Sequence, residues 1–190
     1  MLNLKGTRTE KNLMEAFAGE SQARNRYSYF AEKAREEGHT ALADTLEDIA
    51  INEREHAKKW FKILRGGAIP TTVDNLKSAI EGENAEWTDM YPRMAAEARE
   101  EGFNVIASFF DSIGNIEKRH SANLRDILSK FEGELSGEAG DRPETTEKTI
   151  WLCRFCGFVV DSENEPKVCS VCEQEKAFFQ QSATVYVGDE

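Results

Sequence analysis

The stretch Leu42-Ala-Asp-Thr-Leu46-Glu-Asp-Ile49-Ala-Ile-Asn-Glu53-Arg-Glu-His56-Ala-Lys-Lys-Trp60-Phe-Lys-Ile63 decides the fold. Its apolar residues recur at a three/four spacing, the stripe of a helix facing a bundle core. Glu53 and His56 fall on that stripe. A second stretch repeats the pattern position for position: Ile106, Phe110, Ile113, Glu117, His120, Leu124, Ile127. Two further stripes, Leu13, Phe17, Glu20 and Leu76, Ile80, Glu83, each also carry one glutamate. The expectation is a mainly α four-helix bundle with a glutamate midway along every helix.

Glycines punctuate these segments. Gly38, Gly66-Gly67, Gly102 and Gly133 each read as the left-handed residue that ends a helix. Thr7 and Glu10 form a capping box before the first helix. The four helices make two similar halves. Ala34-Arg-Glu-Glu-Gly38 returns as Ala98-Arg-Glu-Glu-Gly102, and Glu53-x-x-His56 as Glu117-x-x-His120, both at a spacing of 64. Gly19-Glu20 returns as Gly82-Glu83 at 63, so the third helix carries one extra residue between Glu83 and Ala98. Pro92 lies in that stretch, and a π-bulge is the usual way to absorb such an insertion.

A single buried glutamate is ordinarily neutral or paired. Four at one level of a core, with no lysine among them, cannot all ionise without cations. A glutamate from each of two helices and Glu-x-x-His from each of the other two is the di-iron or di-manganese carboxylate pattern. Carboxylate with imidazole suits iron, with manganese or zinc as alternatives. Glu86, one turn beyond Glu83, is a spare carboxylate whose counterpart in the first half is Ala23. Arg24, Tyr27 and Tyr91 lie within about two turns of the glutamates. His39 follows a helix stop and receives no role.

The texture changes after Gly133. Residues 134–148 are polar and acidic and read as a linker. From residue 149 onward come short β-branched and aromatic runs, Thr-Ile-Trp-Leu, Gly-Phe-Val-Val and Ala-Thr-Val-Tyr-Val, which read as strands. Cys153-x-x-Cys156 and Cys169-x-x-Cys172 make a tetrahedral four-thiolate site, for which spacing alone does not separate iron from zinc. So small a domain needs its metal to fold. Domains are therefore expected at 1–133 and 149–190. The polar Met1–Glu10 segment shows no secretory signal, and paired CxxC motifs without one fit a reducing, cytoplasmic compartment. A net charge of −11 argues against nucleic-acid or anionic-membrane partners, and no apolar run is long enough to span a bilayer.

Thr9-Glu-Lys-Asn, Ala16-Phe-Ala-Gly-Glu-Ser-Gln-Ala-Arg-Asn-Arg-Tyr27, Glu53-Arg-Glu-His-Ala57, Gly82-Glu, Met90-Tyr-Pro92 and the cysteine pairs resemble the rubrerythrin family over nearly the whole chain. The resemblance implies a ferritin-like bundle with two iron ions in a carboxylate-bridged site, followed by a rubredoxin-like domain with one iron on Cys153, Cys156, Cys169 and Cys172. It implies a non-haem peroxidase that reduces hydrogen peroxide to water in oxidative stress defence. Electrons would pass through the rubredoxin-like centre from a donor such as rubredoxin or an NAD(P)H-dependent reductase. By the same resemblance, Glu53 and Glu117 bridge, Glu83 and His120 hold one iron, and Glu20 holds the other. His56 and Glu86 exchange as ligands of that second iron between the reduced and oxidised states, and Tyr27 and Tyr91 stand behind the ligands. One departure concerns the second knuckle, Cys169-Ser-Val-Cys-Glu173, which lacks the usual proline and glycine. That puts its sulfur hydrogen bonding in question.

Two other functions use some of the same residues. A ferroxidase or iron-storage protein would use the same ligands but gives no reason for an attached one-electron carrier. A regulatory module would carry structural zinc at the cysteines. The connection between the second and third helices is short for a ferritin-like crossover. A homodimer with helix pairs exchanged between protomers is the simple solution.

Overall fold

The computed structural model of the chain describes residues 4–136, 150–162 and 164–182. Helices α1 (Arg8–Glu36) and α2 (Thr40–Leu64) come first. They are followed by α3 (Thr72–Ala85), a π-helical turn (Glu86–Met90), α4 (Tyr91–Glu100) and α5 (Asn104–Ser136). The small domain contains β1 (Ile150–Cys153), β2 (Val159–Asp161), a 3-10 turn (Lys176–Phe178) and β3 (Phe179–Ser182). The chain divides into two compact units, Met1–Thr71 and Thr72–Glu190.

The first unit is the α1–α2 hairpin. Thr7 Oγ1 accepts the Glu10 N–H at 3.0 Å, and Glu10 Oε2 accepts the Gly6 N–H at 2.6 Å, so the helix start is capped from both directions. Gly38 turns the chain at φ +83°, and the His39 N–H closes on the Ala34 carbonyl at 2.8 Å. The second unit repeats this turn 64 residues later. Gly102 has φ +86°, and the Phe103 N–H closes on the Ala98 carbonyl at 2.7 Å. A Cβ at φ > 0 would crowd the backbone, which is why glycine stands at both stops.

Small residues close each hairpin. Ala31 and Ala34 of α1 are buried, as are Ala43, Ala50 and Ala57 of α2. In the second unit Ala95 and Ala98 of α4 are buried, as are Ala107 and Ser121 of α5. Between these last two lies Gly114, where an added Cβ would come within 3.1 Å of the Tyr91 Cβ. The heptad 43, 50, 57 thus returns as 107, 114, 121. The large apolar stripe read from the sequence is not what seals the hairpins. Leu42 is 54% exposed, Ile106 47% and Ile127 52%, while Leu46, Ile49 and Trp60 are half-buried.

The insertion in the third helix is a π turn, as the 63/64 spacing predicts. The Tyr91 N–H bonds back to the Glu86 carbonyl, one residue further than in an α-helix. Pro92 follows and has no N–H to restore the ordinary pattern at the next position. Helix α5 begins at Asn104 and runs through Gly133 to Ser136, three residues past the stop read from the sequence. A mid-helix glycine costs only about 1 kcal/mol, which the rest of a long helix absorbs. The remainder of the expected linker lies outside the described residues.

In the small domain β1 is central in an antiparallel sheet of order β2-β1-β3, with Ile150 opposite both Asp161 and Ser182. Cys153, Cys169 and Phe179 form its core, with Trp151, Phe158 and Val171 packed on it. The third strand falls at Phe179–Ser182, and the run expected to form a strand at 183–187 lies outside the described residues. No helix among the described residues is long and apolar enough to cross a membrane.

Candidate metal centres

Each hairpin carries its own ligand cluster. In the first unit the Glu20, Glu53 and His56 donor atoms lie within 4.8 Å of one another. His56 Nδ1 is 2.8 Å from Glu53 Oε2 and 3.9 Å from Glu20 Oε1. In the second unit Glu83, Glu117 and His120 do the same. His120 Nδ1 is 2.6 Å from Glu117 Oε2 and 3.5 Å from Glu83 Oε2. The i, i+3 step of a helix puts each Glu–His pair on one face, and the neighbouring helix adds the third group. Both clusters present Nδ1, the nitrogen nearer the backbone, to the carboxylates.

The second cluster fits a cation. Glu83 Oε2 is buried and makes no hydrogen bond. Burial, reinforced by Glu117, pushes the Glu83 carboxyl above its ordinary range. A buried carboxylate oxygen without a hydrogen-bond donor costs free energy that a metal ion offsets. Tyr91 is likewise pushed up, by burial and then by the charges of Glu117, Glu86 and Glu83, so its hydroxyl keeps its proton at neutral pH. Glu86 opens the π turn and is half-buried. Tyr27 lies on α1 in edge contact with Phe30 at 6.3 Å between centroids, and Arg24 bonds to Asn25.

The four thiols converge in the small domain. Cys153 Sγ is 3.7 Å from Cys172 Sγ, and Cys156 Sγ is 3.6 Å from Cys169 Sγ. A tetrahedral metal with bonds of about 2.3 Å to sulfur places its sulfurs about 3.8 Å apart. The spacing therefore suits one metal ion and is too long for disulfides, whose sulfurs lie about 2.05 Å apart. As free thiols, Cys156 and Cys172 are pushed up by burial. For Cys153 burial also acts upward, but the Cys156 and Phe155 N–H groups outweigh it and bring that thiol down.

The two knuckles superpose in their hydrogen bonding. Cys153 N–H bonds to the Phe158 carbonyl at 2.7 Å, and Cys169 N–H to the Gln174 carbonyl at 2.8 Å. Cys156 Sγ accepts from the Phe158 N–H, and Cys172 Sγ from the Gln174 N–H. Gly157 supplies φ +79° in the first knuckle and Glu173 supplies φ +60° in the second. The missing glycine therefore leaves the hydrogen bond to Cys172 Sγ in place, at the cost of a non-glycine residue in the left-handed region.

Three features were not legible in the sequence. Asn84 Oδ1 accepts from Ser121 Oγ at 2.8 Å, the Arg125 guanidinium at 3.0 Å and Trp87 Nε1 at 3.1 Å, tying α3, the π turn and α5 together beside Glu83. Arg119 donates to the Gly157 carbonyl. A Cβ on Gly157 would lie 2.9 Å from His120 Nε2 and 3.2 Å from Ile116 Cγ2, so the first cysteine knuckle meets α5 at a candidate ligand. Arg119 and His120 sit beside Glu117 in the sequence, but only the fold brings Gly157 to them.

Helix pairs with two carboxylates and a histidine each, attached to a three-stranded domain with four converging thiols, define a ferritin-like di-metal protein with a rubredoxin-like domain. Residues 11–128 match the Rubrerythrin family model, and residues 151–180 match that of the rubrerythrin rubredoxin-like domain. The chain is 41% identical to rubrerythrin of Porphyromonas gingivalis, over 97% of this chain and 94% of that one. It is also 41% identical to rubrerythrin of Nitratidesulfovibrio vulgaris, over 95% of this chain and 97% of that one. The solved structure of nigerythrin in its partially reduced state is 26% identical, covering 96% of this chain and 92% of that one, with a TM-score of 0.38. The chain belongs to the rubrerythrin family, in general di-iron proteins that reduce peroxide in oxidative stress defence.

Proposed function

We propose that this chain is a peroxide reductase whose di-iron site is reloaded through its own four-cysteine centre. The observation that carries the reading is the placement, in one compact unit, of a four-thiol cluster against a carboxylate–histidine cluster through Gly157 and His120. Two ferrous ions would supply the two electrons that, with two protons, turn one hydrogen peroxide into two waters.

The residues divide that work. Glu53 and Glu117 serve as the shared carboxylates, Glu83 and His120 as terminal ligands on one side, and Glu20 on the other. His56 and Glu86 serve as alternative ligands in the reduced and oxidised states. Glu86 stands at a π turn, where the widened backbone lets its side chain aim differently from an α-helical residue. Tyr91, held protonated beside Glu117 and Glu86, keeps a hydroxyl proton available to oxygen atoms in the site. Tyr27 plays the corresponding part from α1. Electrons would enter at the cysteine domain from a rubredoxin or an NAD(P)H-dependent reductase. Four free thiols match a reducing, cytoplasmic setting.

The reading includes an exchanged homodimer. Each Glu-x-x-His places its histidine one turn beyond its glutamate. If α2 and α5 run antiparallel, the two histidines fall at opposite ends of the carboxylate pair, one for each metal. Antiparallel α2 and α5 make α2 and α3 parallel, which requires a long crossover. The connection from Leu64 to Thr72 is short. Pairing the first helix pair of one chain with the second pair of its partner removes that requirement.

The test mixes anaerobically reduced protein with hydrogen peroxide and, separately, with oxygen, and follows iron oxidation optically. Peroxide should react much the faster. Equal rates with mineral formation would favour a ferroxidase. Zinc alone at the four cysteines in protein from its native host would favour a regulatory module.

A further inference from the structure

We propose that Arg119 is a positioning residue for electron transfer: by holding the Gly157 carbonyl it seats the first cysteine knuckle on α5, with the Cys156–Gly157 backbone against the His120 ring. This deepens the peroxide-reductase reading and rests on it.

Ile116, Arg119 and His120 lie at i, i+3 and i+4 and so share one face of α5. Ile116 is 3% exposed. Gly157 stands over that face so closely that any side chain there would meet His120 Nε2 and Ile116. His120 presents its other nitrogen, Nδ1, to Glu117 and Glu83. One imidazole ring therefore spans from the carboxylate cluster to the backbone of a cysteine knuckle. The Arg119 guanidinium supplies the directional bond across this contact. It also lies close to the Cys156 thiol and the Glu117 carboxylate.

Repeat symmetry separates this role from a general structural one. The residue equivalent to Arg119 in the first half is Glu55, an exposed side chain paired with Lys58 at 3.1 Å. Only the half that meets the cysteine domain has arginine at this position. The step served is the transfer of one electron at a time from the reduced four-cysteine iron to the oxidised di-iron site. The external donor class already proposed then restores the four-cysteine iron.

The experiment compares Arg119→Ala and Arg119→Lys with the parent in the full-length, iron-loaded protein. Fully reduced protein is mixed with one equivalent of peroxide. Oxidation of the di-iron site is followed first, and then growth of the ferric–thiolate band as the cysteine iron gives up its electron. In Arg119→Ala the first phase should be unchanged. The second should slow by about tenfold or more, because small misplacements of reacting partners carry large rate penalties. Arg119→Lys, which keeps a donor and a charge, should recover most of the rate. A readout independent of turnover uses zinc-loaded protein, in which the nuclear Overhauser contact between Gly157 Hα and the His120 ring should be present and be lost in Arg119→Ala. An unchanged second phase in Arg119→Ala overturns the proposal, and so does a slowed phase with the Gly157–His120 contact retained. If the parent shows no reaction with peroxide, the peroxide-reductase reading fails, and the zinc-loaded contact still decides whether Arg119 seats the knuckle.

Discussion

Exchange of helix pairs predicts that two dead variants rescue each other. Glu53 lies eleven residues before the end of α2, and Glu83 eleven residues after the start of α3. At 1.5 Å per residue each is about 16 Å from its helix end. If α2 and α3 ran parallel within one chain with both glutamates level, Leu64 and Thr72 would stand about 33 Å apart along the bundle. Eight peptide steps join them, reaching about 26–29 Å at full extension, and Gly66 and Gly67, both in the left-handed region, fold back rather than extend. Consider chains carrying Glu53→Ala with His56→Ala, co-expressed with chains carrying Glu117→Ala with His120→Ala and captured through two different tags. In an exchanged heterodimer one site collects every substitution and the other collects none. Purified heterodimers should therefore hold about half the parent's di-iron centres and show about half its peroxide turnover, while either homodimer holds none. A flexible insertion of about twelve residues after Gly67 adds about 40 Å of reach, should permit closure within one chain, and should lower the rescue. Heterodimers with no intact centre would refute the exchange.

Four further outcomes follow from particular contacts. Cys153→Ser should remove the visible iron–thiolate band while the helical circular-dichroism signal stays within about a tenth of the parent's, because the small domain holds only a small share of the helix. Glu86→Ala should still bind two metals in the reduced state but turn over peroxide more slowly, checked by metal analysis and steady-state rates; unchanged turnover would remove Glu86 from the ligand set. Asn84→Ala should lower bundle stability by about 1–3 kcal/mol in denaturant titration, since it strands the buried Ser121 hydroxyl together with the Trp87 N–H. Glu173→Gly should stabilise the metal-loaded small domain by about 0.5–1 kcal/mol, because relief of left-handed strain of about 1–2 kcal/mol exceeds the entropy glycine adds to the unfolded chain.

What the sequence carries well is whatever repeats along one helix. The four glutamates, the two Glu-x-x-His steps, the glycine stops at 38 and 102 and the extra residue before Ala98 are all spacings, and a spacing survives without knowledge of neighbours. The hairpin seam was not legible for the same reason. The large apolar stripe 42, 46, 49, 60 dominates any periodicity, whereas the residues that close α1 on α2 are alanines at 43, 50 and 57, too small to stand out. Gly133 looked like the other stops, yet nothing local distinguishes a glycine that ends a helix from one tolerated inside it. The Arg119–Gly157 and Asn84–Ser121 contacts span 38 and 37 residues and depend on tertiary placement that no local pattern encodes.

The departures from repeat symmetry fall mostly in the second half. The π turn, Glu86 in place of Ala23, Asn84 in place of Ser21, Ser121 in place of Ala57 and Arg119 in place of Glu55 all belong to residues 72–136. In the first half Ser21 only bonds back to the Phe17 carbonyl at 2.6 Å, within its own helix. In the second half Asn84 ties α3 to α5 instead, fixing Glu83 next to the π turn that begins at Glu86. On the proposed reading, a helix pair that changes a ligand with oxidation state and also accepts an electron needs one rigid and one adjustable element side by side. Asn84 supplies the first and the π turn the second. The first half, which has neither, keeps the plain alanine seam. If the halves come from different chains in each bundle, every site still receives one plain pair and one specialised pair, so exchange costs the chemistry nothing.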